Sequence, residues 1–414
     1  MVTFQLFIGL ISLAAVLSIV NRKLLKLPDT IGVMILAIIA ALGFGAYSFV
    51  DKEAFLSACQ VVEQIDFKTL VFDFLLGFLL FAGSIHVSLG SLLKERGPVI
   101  TYASFGVVIS TFIIGTAIYY IASVLGMDIP YLYALVFGAL ISPTDPVAVL
   151  ALLKKAGAPK KMEIKIVGES LFNDGVGIVV FLSILSLATM MSEFEVSHIA
   201  GEFAKEAGGG LLMGAVLGWI GSKLIATLRN QPVIAVHVSL AIVMGGYSLA
   251  SWLHISGALA MVVAGLIIGH GLHKEEACKE LQSHMNIFWK VLDEIFNSVL
   301  FVLIGIEVIA LDFNIDYLFL GLASIVVVLV ARFIAVFFSN FLLRKEHRSN
   351  KKEMYILTWA GLRGGISIAL ALTLPPGEVR DMILFATYIV VIFSIIVQGL
   401  TIEKLVVKLL SKPN

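Results

Sequence analysis

Charged residues are scarce in this chain of 414 residues, because only 14% of its positions are Asp, Glu, Lys or Arg whereas 59% are hydrophobic. A soluble domain carries about 25% charged residues, so this composition excludes an ordinary soluble protein and indicates many membrane spans. Acidic and basic residues are equal in number, 29 of each. A nucleic-acid partner is therefore not expected, since such a partner requires an excess of positive charge.

Cysteine and the common catalytic motifs are also lacking. The two cysteines are Cys59 and Cys278, and the span order given below places them on opposite sides of the membrane, which excludes an intrachain disulfide. The sequence has no Walker-type Gly-Lys-Ser/Thr run, no Gly-x-Ser-x-Gly turn and no His-Glu-x-x-His pair. We expect a protein that is not an enzyme and that holds neither a cofactor nor a resident metal ion.

Long apolar runs dominate the chain instead. Runs of about 20 residues between charged or turn-forming connections predict an all-α polytopic membrane protein with about thirteen transmembrane helices. The runs are 3–20, 30–50, 67–93, 98–125, 131–153, 164–191, 208–228, 233–253, 256–272, 285–311, 315–343, 354–374 and 382–410. Charged residues interrupt the last run, so we expect it to bend or to end as an amphipathic tail.

Charge in the connections alternates along the chain. Lys and Arg collect in 21–26, 94–96, 154–165, 223–229, 273–290, 344–352 and the C-terminal tail, whereas the connections between them are acidic or weakly charged. Basic connections face the cytoplasm in bacterial membrane proteins. The pattern predicts an N-terminus outside the cell and a C-terminus in the cytoplasm.

Two of the runs contain helix breakers at corresponding positions. Pro143 and Pro146 flank Asp145 in the fifth run, and glycines surround Arg363 in the twelfth, at Gly361 and Gly364 among others. The two runs are an odd number of spans apart and so cross the membrane in opposite directions. Paired interruptions of this kind indicate a transporter with inverted repeats. We predict repeats at 1–191 and 231–414, joined by a connecting span at 192–230, with the broken helices crossing at the membrane midplane.

The sixth run carries polar residues that a lipid-facing helix does not tolerate. Ser170, Asn173 and Asp174 are spaced i, i+3 and i+4, which places them on one helical face. With Thr144 and Asp145 from the first break, they offer oxygen ligands for a cation and carboxylates that can bind a proton. The structural alternatives are that Asp145 caps a half-helix and that Asp174 belongs to a satisfied polar network.

Two further ionised residues, Glu169 and Arg332, lie deep in apolar runs. A lone charge there is costly, so we expect the two to pair with each other. Arg363 is interpreted as a structural tether at the helix crossing, although it could also balance the charge of the site.

The seventh run repeats glycine at Gly210, Gly214 and Gly218. Small residues at this spacing allow close packing of helices in lipid. Packing within the subunit is the preferred interpretation, and packing against a second copy is the alternative.

The stretches 142–146 (SPTDP), 168–174 (GESLFND) and 361–365 (GLRGG) strongly resemble cation/proton antiporter family 1, the sodium/proton exchangers, and its prokaryotic NhaP-type members. The resemblance implies that Asp174 is the essential carboxylate with Asn173 beside it, and that Thr144, Asp145 and Ser170 line the ion site. It also implies a Glu169 pair with an arginine matched by Arg332, and a homodimer whose core domain moves against a dimer domain. Some relatives have a further carboxylate near Phe81 or Ala82, which this chain lacks.

The function predicted from these features is electroneutral Na+/H+ antiport by alternating access in a prokaryotic plasma membrane, with Na+ and H+ competing for one buried carboxylate. Li+ or K+ could replace Na+, because cavity size cannot be read from sequence. The alternatives are a K+/H+ antiporter and a gated cation channel in which the broken helices form a filter.

Overall fold

The computed structural model describes residues 2–47, 51, 69–189, 196–274, 279–308 and 314–410, and within these ranges the chain is helical with short connections and contains no strand. This agrees with the predicted all-α fold. Cys59, Cys278 and most of the acidic connection 51–66 lie outside the described residues, and the predictions made for them remain predictions.

Nine α-helices lie in the described residues before position 190. They are α1 (Val2–Val20), α2 (Asp29–Tyr47), α3 (Leu76–Ile85), α4 (Leu89–Lys94), α5 (Arg96–Ala103), α6 (Phe105–Val124), α7 (Tyr131–Ile141), α8 (Val147–Lys155) and α9 (Lys160–Thr189). The third apolar run is divided, because a π-helical segment (Thr69–Leu75) leads into α3 and a turn at His86 separates α3 from α4. Ser88 caps α4 by accepting a hydrogen bond from the backbone of Ser91.

Nine more α-helices follow in the described part of the chain. They are α10 (Val196–Thr227), α11 (Pro232–Trp252), α12 (Gly257–Lys274), α13 (Lys279–Glu307), α14 (Ile315–Leu342), α15 (Lys351–Trp359), α16 (Gly365–Leu372), α17 (Glu378–Phe393) and α18 (Gly399–Leu410). The last apolar run is interrupted as expected, but the interruption is a π-helical turn at Ser394–Gln398 between α17 and α18.

Eight helices among the described residues are long and apolar enough to cross a membrane. Shorter apolar helices at Thr69–Ile85, Tyr131–Ile141 and Gly257–Leu272 accompany them. The protein is a multi-pass membrane protein, while the count of thirteen spans and the division into inverted repeats stay predictions.

The glycine repeat of α10 packs within the subunit. A Cβ atom at Gly214 or Gly218 would collide with the backbone of α12, at Ala260 and Ala264 respectively. A Cβ atom at Gly210 would collide with the backbone of Ser256, the residue just before α12. Glycine is needed at this face because the two backbones are in direct contact. Large apolar side chains such as Trp219 on α10 and Trp252 on α11 are instead exposed, as suits surfaces solvated by lipid.

Candidate functional site

The first helix break lies between α7 and α8. The helix α7 ends at Ile141, and α8 begins at Val147 after five residues that contain both prolines. Proline has no backbone N–H and restricts the residue before it, so the helix cannot continue through this segment. Ser142, Pro143 and Thr144 are buried, and Asp145 is half-buried. Non-helical backbone is thus held inside the protein, where it is sheltered from lipid.

The second break, between Trp359 and Gly365, crosses the first. The backbone N–H of Asp145 donates a hydrogen bond of 2.8 Å to the carbonyl of Leu362. A Cβ atom at Gly364 would lie 2.5 Å from Oδ2 of Asp145, so only glycine allows the second break to approach the Asp145 carboxylate this closely. The two predicted breaks are therefore in direct contact.

Arg363 ties the two breaks together. Its guanidinium donates to the carbonyls of Ser142 and Pro143, the latter at 2.8 Å, and its backbone N–H donates to Oγ of Ser394 at 2.9 Å. These carbonyls follow the C-terminal end of α7, where helix carbonyls lack partners and carry partial negative charge. Arg363 is 1% exposed, so its guanidinium is enclosed at the crossing, and its role as a structural tether stays a prediction.

The π-helical turn at Ser394–Gln398 contacts the second break through side-chain hydrogen bonds. Oγ of Ser394 donates to the side chain of Gln398 at 2.7 Å, and the Gln398 amide donates to the carbonyl of Trp359 at 3.1 Å. Trp359 is the last residue of α15, so Gln398 satisfies a helix end that would otherwise be unpaired.

The polar face of α9 forms hydrogen bonds with the first break. Nδ2 of Asn173 donates to Oγ1 of Thr144 at 2.8 Å, and the Thr144 backbone N–H lies 3.4 Å from Oδ1 of Asn173. Ser170 donates its hydroxyl proton to the Thr144 carbonyl. A Cβ atom at Gly177 would collide with the ring of Pro143. The helix and the break are therefore packed without an intervening side chain, and the oxygens of Thr144 lie beside Asn173 and Ser170.

Two carboxylates are brought together at this crossing. Asp174 is 8% exposed, and the charged group that acts on it is the carboxylate of Asp145. Two negative charges in a low-dielectric site repel each other strongly unless a proton or a cation is bound between them. The arrangement can therefore bind either ligand.

Glu169, one turn before Asn173, faces away from these acids toward α14. Nη2 of Arg332 donates to Oε2 of Glu169 at 3.0 Å, while Nη1 donates to Oε1, so the contact is bidentate. Nη2 also lies 3.3 Å from the carbonyl of Leu357. A Cβ atom at Gly361 would lie 2.7 Å from Nε of Arg332. The pair thus joins α9, α14 and the second broken helix.

Asp293 and Asn297, on α13, are not among the site residues predicted from the sequence. The Asp145 charge also acts on Asp293, and Nδ2 of Asn297 donates to Oδ1 of Asp293 at 3.0 Å. An acid and an amide at i and i+4 within an apolar run form a signal that the sequence does contain.

The third span contributes no carboxylate near the position where some relatives have one. Phe81 is buried, and its ring centroid lies 4.6 Å from that of Trp289. The acid that the third apolar run does contain is Asp73, and its side chain lies outside the described residues.

Comparison with known proteins identifies the family. The family model described as "Sodium/hydrogen exchanger, transmembrane" matches residues 10–408. The chain is 43% identical to the Na+/H+ antiporter NhaP of Pseudomonas aeruginosa, over 97% of this chain and 96% of that protein. It is 34% identical to the Na+/H+ antiporter NhaH of Halobacillus dabanensis, over 94% and 93% of the two chains.

The fold has also been seen in a solved structure. The sodium proton antiporter MjNhaP1 of Methanocaldococcus jannaschii at pH 8 is similar to this structure with a TM-score of 0.78 and 22% sequence identity, over 99% of both chains. The matched architecture and the sequence matches agree with each other over nearly the whole chain. This protein belongs to the sodium/hydrogen exchanger family of membrane transporters.

Proposed function

We propose that this protein exchanges Na+ for H+ across a prokaryotic plasma membrane by alternating access. The observation that carries the proposal is the pair of carboxylates, Asp174 and Asp145, placed at the crossing of two broken helices in a member of this family. The relatives named above are Na+/H+ antiporters, which supports Na+ as the cation.

In the proposed cycle, Asp174 binds either the proton or the cation. Asp145 remains ionised in the proposed cycle, because it lies just before the N-terminus of α8, where the helix dipole favours negative charge. Thr144 and Ser170 supply oxygens, and Asn173 holds Thr144 in place. Since one carboxylate titrates, one proton is exchanged for one cation and no net charge moves.

The surroundings of the site suggest which part moves. The Glu169–Arg332 pair joins α9 and α14 beside the crossed helices, and α13 packs against α1, α2 and α16. We propose that a core containing the crossed helices moves relative to the rest of the subunit, that the protein is a homodimer, and that its N-terminus lies outside the cell.

The test is exchange in proteoliposomes supplied in turn with Na+, Li+ and K+, with the membrane potential clamped by potassium and valinomycin in the Na+ and Li+ runs. We expect Na+-driven proton movement that is insensitive to the clamped potential. Below the pKa of the site, the apparent cation affinity should fall about tenfold per pH unit, because the proton competes for the same carboxylate.

Other outcomes would contradict parts of the proposal. A rate that followed the imposed voltage would mean two protons per cation and would place Asp145 in the titration. Exchange with K+ alone would assign a different cation, and current without proton movement would replace the antiporter with a channel.

A further inference from the structure

We propose that Asp293 and Asn297 form a second cation-binding station, which takes a partly hydrated monovalent cation on its way to or from the Asp145–Asp174 site. The inference rests on the proposed function and adds a residue pair from outside the crossed helices. The juxtaposition that carries it is an acid and a buried amide on the face of α13 that packs onto the second break.

The position of Asp293 follows from the packing of α13. Asp293, Asn297, Leu300 and Ile304 are spaced i, i+4, i+7 and i+11, so they form one stripe along the helix. The last two contact the start of α16, because a Cβ atom at Gly365 would lie 2.8 Å from Leu300 Cγ and from Ile304 Cδ1. The same stripe therefore carries the Asp293 side chain on the side of the helix that faces the crossing.

The charge of Asp145 links the two stations. Asp293 is seven residues from Leu300, or about 10 Å along the helix axis at 1.5 Å per residue. Gly364, the neighbour of the glycine that Leu300 contacts, touches the Asp145 carboxylate. The Asp145 charge acts on Asp293 as it acts on Asp174. The three acids thus form an electrostatically coupled series, with Asp145 in the middle.

Asn297 gives the station a defined geometry. Its side chain is 4% exposed, and Nδ2 donates both to Oδ1 of Asp293 at 3.0 Å and to the Asp293 carbonyl at 2.9 Å. The amide nitrogen is thereby committed to Asp293, which holds the Asn297 side chain beside the carboxylate. A carboxylate and an amide oxygen are hard ligands of the kind that bind alkali cations together with water.

The half-buried position of Asp293 fits a station better than a final site. Its side chain is partly exposed, whereas Asp174 and Asn173 are buried, so a cation here can keep part of its hydration shell. Lys290, the basic residue one turn away, pairs with Glu294 at 3.8 Å on the exposed side of α13. That contact places the Lys290 charge beside Glu294 at the exposed surface of α13.

The test compares two neutralising variants of adjacent acids. Asp293→Asn and Glu294→Gln each remove one carboxylate from α13, but the Glu294 side chain is 67% exposed, and its charge acts on Asp293 more weakly than that of Asp145 does. We expect Asp293→Asn to raise the apparent KM for Na+ about tenfold when Na+ is supplied from the membrane face at which α13 begins, because local attraction of the cation is lost. The maximal rate should stay close to that of the parent.

Sidedness separates a station from a structural role. Vesicles sorted by orientation should show the KM change from one side only, Asp293→Glu should restore most of the parental KM, and Glu294→Gln should behave as the parent. Parental KM values on both sides for Asp293→Asn, or an equal loss for both neutralising variants, would overturn the inference while leaving the antiport proposal intact.

A parent protein that exchanged no cation would instead contradict the proposed function. Equilibrium binding of radioactive sodium to the detergent-solubilised protein then decides the inference by itself. Weaker binding by Asp293→Asn than by Glu294→Gln is the expected result, and equal binding by the two variants would refute the station.

Discussion

Glu169 and Asp174 lie on the same helix and are both buried, yet they have opposite surroundings. Five residues separate them, which corresponds to about 140° around the helix and about 7.5 Å along it. Glu169 meets the guanidinium of Arg332 in a bidentate contact, whereas Asp174 lies within the field of another acid, Asp145. One helix thus carries a neutralised acid on one side and, on the other, an acid that the Asp145 carboxylate of the first break repels.

This difference distinguishes an acid that can stabilise the fold from acids that can bind an exchangeable ion. The guanidinium of Arg332 already balances the charge of the Glu169 carboxylate, so this carboxylate attracts a further cation only weakly. Because arginine does not release its proton, the net charge of the Glu169–Arg332 pair stays constant. The Asp145–Asp174 pair carries excess negative charge that a transported ion can compensate. The first arrangement stabilises the fold, and the second can change its ligand.

The largest effect should be a loss of exchange on replacing Asp174, the acid that lies in the field of Asp145 and not beside an arginine. We expect Asp174→Asn to yield a folded protein whose exchange is at background, because an amide offers an oxygen but cannot carry a proton. Exchange in proteoliposomes measures it, and gel filtration in detergent reports folding. Glu163→Gln, in the first turn of α9, is the matched control and should exchange as the parent does. Substantial exchange by Asp174→Asn would remove Asp174 from its role.

The second-largest effect should be a loss of stability when Glu169 is left without Arg332. Arg332→Ala leaves Glu169 buried and uncompensated, and we expect a loss of about 3–5 kcal/mol in the free energy of unfolding. Denaturation in detergent is the measurement. The double variant Glu169→Gln with Arg332→Met should be more stable than Arg332→Ala, since no lone charge remains. Parental stability of Arg332→Ala would show that the pair does not stabilise the fold.

The smallest effect should come from an ion pair at the surface. Lys155 and Glu403 lie 3.0 Å apart with side chains that are 70% and 33% exposed. Water screens this pair, so Lys155→Ala should change the free energy of unfolding by only about 0–1 kcal/mol. The same denaturation assay applies. A loss as large as that of Arg332→Ala would mean that burial does not account for the difference between the two pairs.

Much of the site could be predicted because its signals are local. Proline at 143 and 146 interrupts a helix whatever surrounds it, and α7 does end at Ile141. The spacing of Ser170 and Asn173 places both on one face of any helix, and both bond Thr144. The roles assigned to these residues in transport stay predictions.

Other features depend on contacts between distant parts of the chain. The sequence contains the acid at Asp293 and the glycine at Gly364, but nothing local to either indicates that they lie near Asp145. The glycine repeat of α10 likewise left two packing partners open, and the contact with α12 decides between them. The π-helical turn at Ser394–Gln398 was expected only as an unspecified bend.

The sequence by itself determined that this is a membrane protein with interrupted helices and acids at membrane depth, because hydropathy, backbone restriction and helical spacing act over a few residues. The cost of lone buried charges also predicted the Glu169–Arg332 pair, but only the tertiary structure shows its bidentate contact and brings the charge of Asp145 to act on Asp174. Arg332 lies 163 residues from Glu169 along the chain, and Asp145 reaches Asp174 only where two breaks cross. Electrostatic energy depends on distance in space, and only the packed helices set that distance.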